Sequence, residues 1–231
     1  MGKLYGVSVG AGDPQLMTLK AVGILERCRV IAVPRTNGES SLALSIAEKA
    51  VDLSRKRVIY LDFLMTSDRE RLDRNHGELS AMLCRELEDG DVAFLTLGDI
   101  SVYSTFGYIA CRVEQAGFDV EVCAGVTSFC AAAAAVREPL CLGSEELHII
   151  PCSCGDMEKA LGLSGTKVIM KAGRKAAELI ELIREKGLSD CTKVVSDCGL
   201  DTERIYGSVE DIDGEPGYFT LFIVNGREKF R

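Results

Sequence analysis

The size and composition of the chain are those of a globular protein. Of its 231 residues, 47% are hydrophobic and 27% are charged, which excludes a disordered chain, a collagen-like fibre and a coiled-coil rod. Its 35 acidic and 27 basic residues give a formal net charge of −8, which argues against nucleic acid or an anionic membrane as a partner. No apolar run approaches the roughly 18 residues of a membrane-spanning helix. Because the N-terminus also lacks the apolar core of an export signal, we predict a cytoplasmic protein.

The first half of the chain alternates between strand and helix patterns. Such alternation is typical of a parallel sheet covered by helices on both faces, and we predict that architecture here. We expect Pro34 to end the second strand, because proline cannot donate a backbone hydrogen bond. The predicted strands span residues 4–9, 29–33, 57–61, 91–97 and 119–123, and the predicted helices span 17–27, 41–50, 69–88 and 104–116.

The second half of the chain opens with an alanine-rich helix pattern at 127–136. Its last two strand patterns are consecutive and joined by the turn-rich segment 211–217, which predicts mixed or antiparallel pairing. We therefore predict two α/β domains, a mainly parallel N-terminal domain over residues 1–122 and a mixed C-terminal domain over 123–231. The remaining predicted elements are strands near 146–151, 166–171, 192–196, 203–208 and 218–224 and a helix at 175–186 that ends at Gly187.

Three loops follow predicted strands, at the edge where open α/β sheets bind ligands. The first loop, Gly10–Pro14, lacks the third glycine of a dinucleotide-binding fingerprint and the Gly-Lys-Ser/Thr of a P-loop. It is therefore either a tight strand–helix turn or a set of backbone amides that bracket an anion or a flat ligand.

The second loop, Leu95–Thr105, contains Gly98, which lets a ligand approach the backbone closely. Its Asp99 either accepts a hydrogen bond from a ligand or caps the following helix. In the third loop, Ala124–Ser128, either of the last two residues could cap a helix in the same way. Three such loops at strand ends together favour a ligand cleft.

The ten cysteines are predicted to be reduced and mostly to be small buried hydrophobic residues. A metal or cluster site is the alternative, but the one close pair, Cys152 and Cys154, has no second pair beside it. The two histidines are His76, which we predict on the surface of a helix, and His148, which we predict as a hydrogen-bonded core residue of a strand. We therefore predict no metal site.

The three loops resemble those of the tetrapyrrole methylases, the class III S-adenosylmethionine-dependent methyltransferases. Val9–Thr18 is similar to a shortened form of the family's Val-Gly-x-Gly-x-Gly-Asp-Pro-x-Leu-x-Thr opening. Gly98-Asp99-Ile100 resembles the family's Gly-Asp-Pro, and Ala124 replaces the proline of a Pro-Gly-x-Ser/Thr-Ser motif. Within the family, the chain most resembles the C-20 methyltransferases of precorrin-2 or cobalt-factor II, through segments 33–35, 40–43, 62–66, 94–99, 103–105 and 127–129.

The resemblance implies a homodimer whose active-site cleft lies between two α/β domains, a tetrapyrrole substrate, and S-adenosylmethionine as the cofactor, with S-adenosylhomocysteine as product. A sibling methylase for another ring position and a non-catalytic binding homologue are the alternatives. By motif position, the cofactor-binding residues are Pro14, Leu97, Gly98, Asp99, Ile100, Val102, Tyr103, Thr127, Ser128, Met170, Lys171 and Ala172.

The expected reaction is an in-line displacement at an activated methyl group, which needs positioning and a modest general base rather than a metal. Asp13 and Asp99 are alternatives for that base, with Tyr103 as an orienting group. The substrate would carry eight carboxylates, and Arg35 is our candidate to bind one as a fork, unless it is simply a solvated surface arginine. Gly12 and Asp13, in the first loop, are also expected to face the substrate.

Overall fold

The computed structural model describes residues 1–36, 41–153, 155–214 and 216–225, together with the backbone but not the side chain of Arg174. It divides the chain into two compact units, Met1–Thr127 and Ser128–Arg231. The first unit includes most of the third loop, which bonds to the second loop. Ser40, in one segment of the family resemblance, and Cys154, in the close cysteine pair, lie outside the described residues.

The first unit is a parallel sheet with the strand order β3-β2-β4-β1-β5. Its strands are β1 (Lys3–Ser8), β2 (Val30–Arg35), β3 (Arg57–Asp62), β4 (Val92–Thr96) and β5 (Asp119–Cys123). Its helices are α1 (Leu19–Arg27), α2 (Leu42–Ala50), α3 (Arg69–Asp89) and α4 (Phe106–Gln115), and a 3-10 turn spans Pro14–Leu16.

Two hydrophobic cores cover the two faces of this sheet. On one face, Ile24 of α1 and Ile46 of α2 pack against the sheet. On the other face, Leu83 of α3 and Ile109 of α4 pack around Phe94. All five side chains are almost completely removed from water, which is the main stabilising contribution in such a layered fold. The predicted helix–sheet–helix arrangement is confirmed.

Our prediction that Pro34 ends β2 is wrong. The strand continues to Arg35, and these last residues pair with Leu61 and Asp62 of β3. Pairing with β4 on the other side stops at Ala32. Because the Arg35 carbonyl accepts a bond from the β3 side, the neighbouring Pro34 faces the side where pairing has already ended. The missing N–H of proline therefore costs no ladder bond.

The second unit is a mixed sheet with the order β6-β7-β10-β8-β9. β6 and β7 are parallel and the other pairs are antiparallel. The strands are β6 (Leu147–Pro151), β7 (Thr166–Met170), β8 (Thr192–Ser196), β9 (Arg204–Tyr206) and β10 (Thr220–Asn225). The helices are α5 (Ser128–Val136), α6 (Met157–Leu161) and α7 (Ala176–Glu185).

The predicted fold class, a parallel sheet followed by a mixed one, is thereby confirmed. The chain leaves α7 through Gly187, whose φ of 67° is left-handed and whose N–H donates to the Arg184 carbonyl at 2.9 Å. This is the predicted glycine cap. That the N-terminal domain faces the substrate and the C-terminal domain completes the cofactor site stays a prediction. Among the helices that the structure describes, none has the length and apolar character required to traverse a bilayer.

Candidate active site

The first two loops meet at the carboxyl edge of the parallel sheet. They follow the neighbouring strands β1 and β4, and a pair of backbone hydrogen bonds joins them. The Gly98 N–H donates to the Gly10 carbonyl at 2.7 Å, and the Gly10 N–H donates back at 3.2 Å. Both glycines have left-handed φ angles, 77° and 72°, a conformation that costs glycine little. The glycine pattern of both loops therefore serves a direct contact between them.

Asp99 connects the second loop to the third. Its Oδ2 accepts a hydrogen bond from the Gly125 N–H at 2.7 Å. Its Oδ1 accepts one from the Ser101 N–H at 2.8 Å and another from the Ser101 hydroxyl. The side chain is buried; this burial opposes ionisation, but the bonds from Gly125 and Ser101 outweigh it and lower the pKa of Asp99 below its ordinary value. Asp99 is therefore an ionised carboxylate that fixes two loops.

Ser8 and Gly125 complete this junction, although neither is among the predicted site residues. The Ser8 hydroxyl accepts a hydrogen bond from the Ile100 N–H at 2.9 Å. A Cβ atom on Gly125 would lie 2.4 Å from the Ser8 Cβ and 2.8 Å from the Gly98 carbonyl oxygen, so only glycine fits. The signal available for Ser8 is a hydroxyl at the end of a strand, directly after a run of buried residues without charge.

The first loop presents its polar side chain differently. Asp13 accepts a hydrogen bond from the Gln15 N–H at 2.8 Å and so caps the 3-10 turn that begins at Pro14. Asp13 and Pro14 are both only partly buried, whereas Gly12 is buried. The Asp13 carboxylate therefore lies at the carboxyl edge of the sheet without the enclosing bonds that surround Asp99.

Two predicted cofactor residues have strained backbones. Tyr103, whose side chain is 44% exposed, has a φ of 52°, and Lys171, just after β7, has a φ of 55°. A left-handed φ costs a residue other than glycine roughly 1 kcal/mol, and such positions cluster at functional sites. In the second unit, Met170 accepts a hydrogen bond from the Cys152 N–H at 2.7 Å, and Ala172 is buried.

The structure thus brings together the predicted residues of the first unit at one edge of its sheet. Ser128 and the three residues that follow β7 belong to the second unit, and their part in the site stays a prediction. The residues gathered in the first unit are Gly12, Asp13, Pro14, Leu97, Gly98, Asp99, Ile100, Val102, Tyr103 and Thr127.

The chemistry of the three loops is that of acceptors and apolar side chains. None of them contains a lysine or an arginine, while Asp13 and Asp99 contribute two carboxylates. Val102 is half-buried and Tyr103 is exposed beside it. Such a lining suits a ligand that carries a positive charge together with an apolar ring system.

Arg35 lies on the same edge but nearer its β3 end. Its Nε and Nη2 atoms donate to the two carboxylate oxygens of Asp62, at 2.5 and 3.0 Å. The guanidinium carbon lies 4.7 Å from the centroid of the Tyr60 ring. Arg35 is therefore held in a fixed orientation by a fork and a stacking contact. It does not contact the three loops through any bond in the described part of the chain.

Both histidine predictions are wrong. His76 is buried on α3 and stacks on Tyr108, with ring centroids 5.0 Å apart and an interplanar angle of 11°. Its position, one helical turn before Leu79, places it on the apolar stripe despite its polar side chain. His148 is 28% exposed on the edge strand β6, and its Nε2 lies 3.5 Å from a Glu146 oxygen without a hydrogen bond. It is not a hydrogen-bonded core residue.

The prediction that the cysteines are mostly buried is wrong. Of the nine cysteines in the described ranges, only Cys28, Cys123 and Cys152 are buried, while Cys111, Cys130 and Cys141 are exposed. The exposed thiols lie on outward faces of helices and on a loop, which local sequence patterns do not reveal. Within the described residues, no three His, Cys, Asp or Glu side chains form a group that could hold a metal ion.

The chain matches the family model "Tetrapyrrole (Corrin/Porphyrin) Methylases" over residues 3–213. It is 37% identical over 185 residues to a Methanocaldococcus jannaschii protein named probable cobalt-precorrin-2 C(20)-methyltransferase, covering 80% of this chain and 78% of that protein. It is 32% identical over 230 residues to the cobalt-precorrin-2 C(20)-methyltransferase of Salmonella typhimurium, covering 97% and 96% of the two chains.

Solved structures of low sequence identity share the fold. A cobalt precorrin-4 methyltransferase superposes with a TM-score of 0.74 at 20% identity, covering 96% of this chain and 94% of the other. A uroporphyrin-III C-methyltransferase from Thermus thermophilus, complexed with S-adenosyl homocysteine, superposes with a TM-score of 0.71 at 21% identity, covering 97% and 98%.

Proposed function

Because the chain belongs to the tetrapyrrole methylase family, we propose that it transfers a methyl group from S-adenosylmethionine to C-20 of precorrin-2 or of its cobalt complex, in cobalamin biosynthesis. The observation that carries this proposal is the junction of the three loops through Gly10, Gly98, Asp99 and Gly125. The ring position is supported by relatives named C(20)-methyltransferases, one of them similar over almost the whole chain.

The loops fit the cofactor chemically. S-adenosylmethionine, when bound, supplies a methyl group activated by a positively charged sulfonium. The absence of lysine and arginine from the three loops avoids repulsion of that charge, and the carboxylates of Asp13 and Asp99 favour it. The half-exposed side chains of Leu97, Val102 and Tyr103 supply apolar surface for an adenine ring. From the second unit, Met170, Lys171 and Ala172 are proposed to contact the cofactor as well.

Asp99 and Asp13 are proposed to have different roles. The three hydrogen bonds to Asp99 and its lowered pKa make it a weak proton acceptor. We assign it the positioning of the second and third loops. Asp13 accepts a single hydrogen bond in the described structure and is partly exposed, so we assign it the removal of the proton from the methylated carbon, with Tyr103 orienting the reacting groups.

The presence of Ile100 where the family pattern has proline does not favour a non-catalytic binding homologue over an enzyme. Ile100 stands where the family pattern has proline, and a proline has no N–H to donate. The bond from the Ile100 N–H to Ser8 therefore replaces the rigidity that a proline ring would give. The side chain is also buried, against Gly6 of β1, where an added Cβ would lie 2.4 Å from the Ile100 Cδ1.

The test is product analysis with an isotopically labelled methyl donor. The protein is incubated with S-adenosylmethionine carrying a ¹³C methyl group in two separate reactions, one with precorrin-2 and one with its cobalt complex. A new labelled methyl at C-20 in either product supports the proposal, and the productive substrate identifies the metallation state. Labelling at another ring carbon would indicate a sibling methylase. Binding of S-adenosylhomocysteine without any transfer would indicate a non-catalytic homologue.

Two further proposals concern the state of the protein. We propose a homodimer, as the family resemblance implies, which size-exclusion chromatography with light scattering would test. We also propose a cytoplasmic location. The nine described cysteines form no disulfide with one another, as is usual in a reducing compartment, and localisation of a tagged copy would test it.

A further inference from the structure

A cavity of about 930 Å³ opens in the first unit at the β2–β3 end of the carboxyl edge. Its walls come from the end of β2, from the segments that follow β2 and β3, from the first two turns of α3 and from one face along the length of α4. Thr105 and Gly107, which line it, lie at the end of the second loop and at the start of α4. The cavity therefore begins where the loops assigned to the cofactor end.

Three arginines line this cavity, with one carboxylate among its lining residues. Asp62, just outside the lining, holds Arg35 in the fork described above, and Asp73 bonds to Arg112 from within it. Arg69 forms no ion pair within the described parts of the chain. The cavity thus has an excess of cations in a chain whose formal net charge is −8, and two of its guanidinium groups are already oriented by neighbouring carboxylates.

The remaining wall is aromatic and apolar. Phe63, His76 and Tyr108 form a continuous row of rings, with centroid separations of 5.9 and 5.0 Å. Burial and the nearby Arg112 lower the pKa of His76, so this ring is neutral at neutral pH. At the rim, Met65 and Tyr108 are 72% and 62% exposed, so both add apolar surface beside the row of rings.

We propose that this cavity binds the carboxylate-bearing arms of the tetrapyrrole, through Arg69 and Arg112 in addition to Arg35, with the ring row against the macrocycle. The inference rests on the proposed function, because that function supplies the ligand. Planar guanidinium groups bind carboxylates in a bidentate manner, and aromatic walls suit a flat macrocycle. This combination of cations and apolar rings matches a flat ring with acidic arms better than a small inorganic anion.

The experiment measures acceptor binding and cofactor binding separately on the full-length protein. Uroporphyrin III, which carries eight carboxylates, is titrated in 0.1 M salt with fluorescence as the readout, and S-adenosylhomocysteine is titrated by calorimetry. Arg69→Gln and Arg112→Gln are each expected to raise the Kd for uroporphyrin about tenfold, the range of a charged hydrogen-bonded contact. The Kd for S-adenosylhomocysteine is expected to stay within twofold.

Arg71→Gln is the matched control, since it removes the same charge from α3 without lining the cavity; its Kd for uroporphyrin is expected to change less than twofold. Met65→Glu tests the cavity without disturbing the fold, because the Met65 side chain is exposed at the rim. It should weaken uroporphyrin binding more than Met65→Gln does.

Wild-type affinity for uroporphyrin in Arg69→Gln, Arg112→Gln and Met65→Glu would overturn the cavity assignment and leave the proposed function intact. In the labelling assay, the two arginine variants should raise KM about tenfold with kcat retained. A wild-type protein that binds uroporphyrin through these arginines yet methylates no tetrapyrrole would instead overturn the proposed function.

Discussion

The Ile100 N–H donates a hydrogen bond to the Ser8 hydroxyl, 2.9 Å away, across 92 residues of sequence. This contact ties the second loop to the end of β1. It exists because isoleucine, unlike the proline of the family pattern, retains a backbone donor. A replacement that would loosen the loop if considered alone is thus compensated by a hydroxyl elsewhere in the chain.

Ser8→Ala is expected to destabilise the protein by roughly 1–3 kcal/mol, because it leaves the buried Ile100 N–H without an acceptor. Ile100→Pro should cost less stability in the Ser8→Ala background than in the wild type. In that background, proline removes an N–H group that has already lost its acceptor. Urea denaturation of the four proteins measures this coupling. Ser45→Ala, which removes an exposed helix hydroxyl, should change stability by no more than about 0.5 kcal/mol. Strictly additive effects would contradict the compensation.

Gly125→Ala is expected to disturb the junction of all three loops. The new Cβ would lie 2.4 Å from the Ser8 Cβ and 2.8 Å from the Gly98 carbonyl, closer than either neighbour can tolerate. We expect a loss of about 1–3 kcal/mol of stability and at least tenfold weaker binding of S-adenosylhomocysteine. The control is Gly23→Ala on α1, where an added Cβ meets nothing within 4 Å and helix propensity should raise stability slightly. Unchanged cofactor binding in Gly125→Ala would contradict the site.

Asp99→Asn is expected to cost about 2 kcal/mol at neutral pH. One carboxylate oxygen accepts from Ser101 and the other from Gly125, so the single amide oxygen of asparagine leaves an NH₂ group facing one of those donors. Because folding lowers the pKa of Asp99, its ionised form stabilises the native state fully above the unfolded value near 3.8. That advantage is lost as the pH falls through the lower folded value. The difference in the free energy of unfolding between the wild type and Asp99→Asn should therefore shrink as the pH falls below 3.8. A difference that stays constant with pH would contradict the assignment.

The sequence predicted most elements and the three loops, because these depend on local patterns of apolar residues, glycine and proline. It missed features that depend on tertiary neighbours. Pro34 is tolerated because β4 pairing has already stopped, and His148 is partly exposed because β6 is an edge strand. His76 is buried because its helical spacing from Leu79 places it on the apolar stripe of α3, although its polar side chain favours the surface. The contact between Asp99 and Gly125 also spans segments that no local pattern relates.

Asp13→Asn tests the assignment of the proton acceptor. Asparagine caps a helical turn about as well as aspartate does, so the bond from Gln15, the stability and the affinity for S-adenosylhomocysteine should all stay near wild type. Because the substitution removes a basic carboxylate, kcat should fall about a hundredfold or more, while KM changes little. Asp99→Asn, in contrast, should lower stability, cofactor affinity and kcat together. If Asp13→Asn retained full kcat, the proton would have to leave through another group, and Asp13 would be confined to capping the turn.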